Sequence, residues 1–241
     1  MTTINKEEIQ KFSKLAKEWW DVEGKFKPLH MFNPIRIQYI LDICTSHFNL
    51  EKEKSLILKD LKILDIGCGG GLISEPMSRL GGVVTGIDAS KKNISVAKIH
   101  ASENNLNINY LNKAPEEINK KEEFDIILNL EVVEHVDNLD LYLQSCFKLL
   151  KKNGVMFTAT INRTFISYIK AIVGAEYILR WLPIGTHDWN KFLRPMELEK
   201  KLTNLNFSVI DTKGLSYNPF INKWKKTEDL SVNYIIAVKK N

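Results

Sequence analysis

The chain has 241 residues, 44% of them apolar and 26% charged, with a net charge of +5. This is the composition of a soluble globular protein long enough to bury a sizeable core. Its basic residues are 29 Lys and 5 Arg, without the Arg-rich patch that reads base edges and phosphates, so no nucleic-acid partner is expected. Cys44, Cys68 and Cys146 are widely spaced and form no CxxC pair, which excludes a disulfide framework and a structural zinc site. The opening MTTINKEEIQ lacks the apolar core of a signal peptide, no uncharged apolar run is of bilayer length, and a cytoplasmic location is expected.

Ile9, Phe12, Ala16 and Trp19 recur at helical spacing, so the first twenty residues read as an amphipathic helix. A stretch punctuated by Pro and Gly, DVEGKFKPLHMFNPIR, separates it from a second helix expected from about Ile35 to Phe48. Residues 1–55 thus form an N-terminal helical cap. From Leu61 onward, short apolar runs alternate with helical ones: LKILDI, VVTGID, INYL, FDIILNL and VMFTATI read as strands. GLISEPMSRL, KKNISVAKIHASEN and NLDLYLQSCFKLLKK read as the helices between them. Such alternation predicts an α/β doubly wound, mostly parallel sheet with helices on both faces. FSVIDTKGL and VNYIIAVKK have little helix between them and predict a C-terminal antiparallel edge hairpin, giving seven strands in one domain spanning 1–241. Residues 164–192 do not fit the alternation and read as an apolar insertion.

ILDIGCGGG is a strand, a sharp glycine turn and the start of a helix, a form that admits a ligand against the main chain. Asp88 closes the next strand, where a carboxylate accepts hydrogen bonds from ribose hydroxyls. The spacing D-x-G-x-G-G-G departs from the GxGxxG of nicotinamide-binding domains, and no lysine follows to hold a triphosphate. It resembles the first motif of class I S-adenosylmethionine (SAM) methyltransferases. The segments KFSKLAKEWWDVEGKFKPLHMFNPIR, ILDIGCGGGLISEPM, VTGID, VAKIHA, VVGAEYILR, GTHDW and VNY extend the likeness over nearly the whole chain. Together they resemble the ubiquinone-biosynthesis O-methyltransferases. That resemblance implies SAM as cofactor, held by Arg36, Gly67, Asp88 and Leu130. It also implies a phenolic or catecholic hydroxyl on a polyprenylated ring as acceptor and, in at least part of the family, a divalent metal.

EVVEHV follows the fourth strand. A phenol with the acidity of Tyr, pKa about 10, needs about 4 kcal/mol to ionise at pH 7, which a cation or a nearby base offsets. Glu131, Glu134 and His135 are therefore candidate ligands for Mg²⁺ or Mn²⁺, and His135 is equally a candidate base. They converge only if the strand ends near Leu130, because a continued strand would turn Glu134 to the opposite face. Capping of the next helix, or lining of the cofactor pocket, is the alternative for this cluster. His187 and Asp188 in GTHDW are further catalytic candidates. The segment from Phe165 to Leu182, with Lys170, Glu176 and Arg180, is too charged to span a bilayer. It suits covering a greasy acceptor, lying at a membrane interface, or capping the domain core. A membrane-resident polyprenyl acceptor would place the protein peripherally on the inner membrane, within reach of a ubiquinone-biosynthesis complex. Two other functions remain open at this point: metal-independent methylation of another small molecule, and a catalytically inactive SAM- or lipid-binding protein.

Overall fold

The computed structural model describes residues 2–119, 121–178, 185–218, 221 and 223–241. Helix α1 (Lys6–Lys14) is capped by Asn5, whose side chain accepts from the Glu7 and Glu8 N–H groups, satisfying donors that the first turn leaves open. Helix α2 (Lys27–His47) begins at Lys27 rather than near Ile35. Pro28 sits in its first turn, where no N–H is needed, while Pro34 is accommodated inside the helix. The proline in HMFNPIR therefore marks the interior of a helix, not a break. Burial of Phe32, Tyr39, Ile40 and Cys44 in the core offsets the hydrogen bond lost at Pro34.

Strands β1 (Lys62–Ile66), β2 (Val83–Ile87), β3 (Asn109–Leu111), β4 (Phe124–Leu130) and β5 (Leu150–Ile161) alternate with α3 (Ser74–Arg79), α4 (Lys91–Glu103) and α5 (Leu139–Leu149). After β5 come a short turn of helix, α6 (Phe165–Ser167), which widens into π-type winding over Tyr168–Ile178, and then α7 (Pro195–Asn204), β6 (Phe207–Asn218), β7 (Lys223–Thr227) and β8 (Asn233–Lys240). They form one sheet in the order β3-β2-β1-β4-β5-β8-β6-β7. The first five strands are mutually parallel, whereas β8 runs antiparallel to both β5 and β6.

The doubly wound fold is as expected, with two differences at the C-terminal end. The last strand lies inside the sheet, between β5 and β6, and its sequence explains why. Tyr234, Ile236 and Val238 face one core while Ile235 and Ala237 face the other, as a strand covered on both sides requires. The outer hairpin is instead β6–β7, and β7, KWKKT, is an eighth strand with no apolar alternation to announce it. An edge strand buries one face at most, and lysines on its outer face discourage pairing with other chains. On one side of the sheet α5 and α7 pack through Leu143, Cys146, Leu198 and Leu202. On the other side α2 and α3 pack against Ile63, Ile126, Leu128 and Phe157. All three cysteines are buried and free.

Candidate functional site

Parallel register brings the carboxyl ends of β1, β2 and β4 side by side: Ile66 lies opposite Ile87 and Asn129. Gly67, Asp88 and Leu130 therefore meet at one rim, the usual ligand edge of an open α/β sheet. Gly67 has φ +68, and a Cβ there would stand 2.5 Å from a Val132 methyl, so the turn requires glycine. Asp88 is held by three donors: the N–H groups of Gly69 (3.0 Å) and Ser90 (2.7 Å) and Asn93 Nδ2 (3.3 Å). Burial raises its pKa, and these bonds oppose the rise. Next to it, burial pushes Asp65 up to about 7, although Ser74 Oγ donates to it.

Arg36, on α2, is 2% exposed and reaches across the same rim. Its Nη1 donates to Glu131 Oε1 (3.1 Å), Nη2 donates to Asn33 Oδ1, and the guanidinium lies over the Phe32 ring at 4.2 Å. Its Nε is buried without a partner. A buried cation with an unused donor suits the carboxylate of SAM, and Asp88 suits its ribose. The residues expected to hold the donor thus fit it.

The chain turns after Leu130: Glu131 has φ +57, and Val133–His135 wind into a 3-10 turn. The three acidic-cluster side chains nevertheless do not converge: Glu131 and Glu134 stay near each other while His135 turns to Glu8. Glu131 pairs with Arg36. Glu134 is 3% exposed and accepts from Thr160 Oγ1 (2.9 Å), with Oε1 unpartnered. Burial, and then the charge of Glu131, raise its pKa well above the carboxylate range. His135 Nδ1 lies 2.9 Å from Glu8 Oε2, and the ring meets Phe12 edge to face. The expected turn is present, but the expected convergence on a cation is not. Among the described residues no three His, Cys, Asp or Glu side chains stand together as metal ligands. As arranged, the cluster does not fit a three-ligand metal site.

Arg36, Gly67, Asp88, Leu130, Glu131, Glu134, His135 and His187 all line one cavity of about 770 Å³. Its far side is made by residues that sequence reasoning missed: Phe32 from α2, Leu215 and Tyr217 from β6, and Trp224 from β7. Phe32 and Trp224 stack at 4.1 Å. Its roof is the segment leading into α1 together with α1 itself, through Thr3, Asn5, Glu8 and Phe12. Thr3 N–H and Oγ1 bond Glu116 (2.7 and 2.8 Å), and Asn5 Nδ2 bonds Asp137 (2.6 Å). The available signal was a Trp among lysines in β7 and the pair Trp19-Trp20 in a polar stretch. Asp188 accepts from Asn190 N–H and Nδ2 and caps a local turn. Arg180 and Leu182 lie outside the described residues.

A glycine turn ending β1, a carboxylate after β2 and a buried arginine lining the same cavity, on this sheet order, define a SAM-dependent methyltransferase of class I. Residues 64–158 match the family described as a methyltransferase domain. The chain is 57% identical over 241 residues to the ubiquinone biosynthesis O-methyltransferase of Pelagibacter ubique (strain HTCC1062), covering 100% of both chains. It is 50% identical over 241 residues to that of Bartonella tribocorum, covering 100% of this chain and 98% of the other. It thus belongs to the ubiquinone biosynthesis O-methyltransferase family. Among solved structures, the fold is similar to magnesium protoporphyrin IX methyltransferase from Synechocystis PCC 6803 with bound SAH, at TM-score 0.67 and 15% identity over 96% of this chain and 94% of that one.

Proposed function

We propose that this chain, acting as one domain, methylates a phenolic or catecholic hydroxyl of polyprenylated ubiquinone precursors, at the demethylubiquinol and the polyprenyl-hydroxyphenol steps. The observation that carries the reading is the cavity itself. It runs without interruption from the donor residues Gly67, Asp88 and Arg36 to an aromatic compartment of Phe32, Tyr217 and Trp224, large and apolar enough for a prenylated ring. When bound, SAM supplies an electrophilic methyl group on a sulfonium. The chain's part is to hold the acceptor oxygen in line and to exclude water, which accounts for much of such a rate enhancement. Incubation with methyl-labelled SAM and a panel of prenylated catechols and demethylquinols tests this. Labelled product from the prenylated acceptors is expected; label on other small phenols alone would defeat the reading.

A divalent cation at Glu131 and Glu134 is a second reading, favoured by the unpartnered Glu134 Oε1 beside a second carboxylate. It requires His135 to leave Glu8. Turnover in EDTA equal to that in Mg²⁺ would remove it. The segment Phe165–Ile178 supports peripheral attachment to the inner membrane. It exposes Phe165 (74%), Ile166, Tyr168 and Tyr177, and among the described residues no helix is long and apolar enough to cross a membrane. Flotation with anionic vesicles is expected for the wild type and weakened in a Phe165→Ser, Ile166→Ser double variant. Attachment there would also bring the chain beside other enzymes of the pathway, which co-purification from membranes checks.

A further inference from the structure

Methylation of a neutral hydroxyl leaves a proton to be placed, and the acidic cluster after β4 is poorly disposed to take it. Glu131 is committed to Arg36, and Glu134 is 3% exposed and already accepts from Thr160 Oγ1. His135 carries a carboxylate at Nδ1, but that carboxylate, Glu8, is shared with Lys11 at 2.9 Å, and the His135 and Glu8 side chains are 17% and 13% exposed. A second histidine lines the same cavity, in the neighbourhood of Glu134 and His135. His187 is in the segment between β5 and α7, and its side chain is 10% exposed.

Its partner is Glu176, only 1% exposed. One oxygen of Glu176 lies 2.9 Å from His187 Nδ1 and accepts the His187 N–H at 2.9 Å; the other accepts the Gly185 N–H at 2.7 Å. Burial raises the pKa of this carboxylate, but the bonds from His187 and the two main-chain groups outweigh it and keep the group ionised. Among the described residues no Lys or Arg forms an ion pair with it. An ionised carboxylate at Nδ1 keeps the proton on that nitrogen and leaves Nε2 as the acceptor. Phe192 packs edge to face on the ring at 5.7 Å, and among the described residues nothing hydrogen-bonds to Nε2. An oriented, water-poor imidazole on the cavity wall is the arrangement a general base requires.

We propose that His187 is the proton acceptor of the methyl transfer and that Glu176 is its positioning residue. The proposal rests on the acceptor class given above. As the acceptor O–H breaks, Nε2 takes the proton. The oxygen pair forms the bond to the methyl carbon, the C–S pair returns to sulfur, and the imidazolium then releases its proton to water. This assignment gives the 164–192 insertion a chemical purpose beyond covering the acceptor, since both members of the dyad belong to it.

The test compares acceptors of different acidity. On an unsubstituted prenylated catechol, His187→Gln should lower kcat by about 10²–10³-fold, the range removed with a general base. On 4-nitrocatechol, ionised in solution at pH 8, the loss should be less than about fivefold, because no base is then needed. Glu176→Gln should fall between wild type and His187→Gln on the prenylated catechol, about 10–100-fold down, with partial recovery in Glu176→Asp. SAM affinity by calorimetry should be unchanged in all three variants. A readout independent of turnover is the absorbance of bound 4-nitrocatechol without SAM: wild type should lower the pH of its ionisation and His187→Gln should not. Equal losses of kcat on both acceptors, or an unaltered spectral titration in His187→Gln, would overturn the assignment. Wild-type activity on 4-nitrocatechol but on no prenylated catechol would sink the proposed function and leave the dyad standing.

Discussion

The end of the cavity proposed for the donor and the end proposed for the acceptor are built by different means. Gly67, Asp88 and Leu130 end or immediately follow β1, β2 and β4, so strand register alone sets them together. At the other end the β6–β7 hairpin sets Tyr217 opposite Trp224, but Phe32 on α2 and His187 after β5 come from elements far apart in the chain, brought to it by side-chain packing. A site set by main-chain register tolerates changes among its neighbours and fails when the backbone itself is altered. A site assembled from side chains changes one residue at a time, and so is where acceptor preference is tuned.

The largest effect that separates the two ends should come from Gly67→Val. A β-branched residue at φ +68 is strained by roughly 1–3 kcal/mol, and its Cβ collides with Val132 besides. The SAM dissociation constant by calorimetry should rise by about 100-fold or more, each tenfold being about 1.4 kcal/mol. Next comes Asp88→Asn, which keeps the shape but loses the charge-assisted bonds to hydroxyls. About a 10–100-fold weaker SAM complex is expected, with the KM for acceptor unchanged. At the other end, Trp224→Ala removes the ring that stacks on Phe32. About a tenfold rise in acceptor KM is expected from the lost aromatic surface, with SAM affinity intact. If Trp224→Ala weakened SAM as much as the acceptor, the two ends would not be separable.

The same division decides what could be read from the sequence. Strand–helix alternation and the glycine turn are local patterns, and they located β1 to β5, Gly67 and Asp88. The α2 boundary was missed because Pro34 was read as a break, whereas its cost is met by packing that no local window contains. Strand β7 was missed because an edge strand carries little apolar alternation. At EVVEHV the turn after Leu130 could be stated as a condition, and φ +57 at Glu131 meets it. That His135 would turn to Glu8 was illegible, because the partner lies on α1, at the opposite end of the sequence. Glu176 and His187, only a short way apart in the chain, fell in a segment whose conformation no periodicity announces.

The smallest expected effect concerns the N-terminal roof, the part of the cavity shared by both ends. It is pinned where Thr3 donates twice to Glu116, through its N–H and its hydroxyl. Burial raises the pKa of this carboxylate, but the hydrogen bonds, led by the Thr3 N–H, outweigh it and the net shift is downward from 4.5. A pKa depressed in the folded state means that Glu116 stabilises the fold fully above its ordinary value. That contribution is lost as pH falls through the depressed folded value. Glu116→Gln removes the charge and keeps the shape, so wild type and variant should differ by about 0.5–1 kcal/mol at pH 7, the ordinary yield of a partly exposed hydrogen bond. Thermal melts from pH 7 to pH 3 should show that gap narrowing below about pH 4. Tryptic cleavage at Lys6 or Lys11 at pH 7.5 should be about two- to fivefold faster in the variant, since local opening of the roof becomes easier by the same amount. A gap that widened on acidification would mean that Glu116 is bound in its neutral form, and that the roof is held by its other bonds, at Asp137 and Ser90.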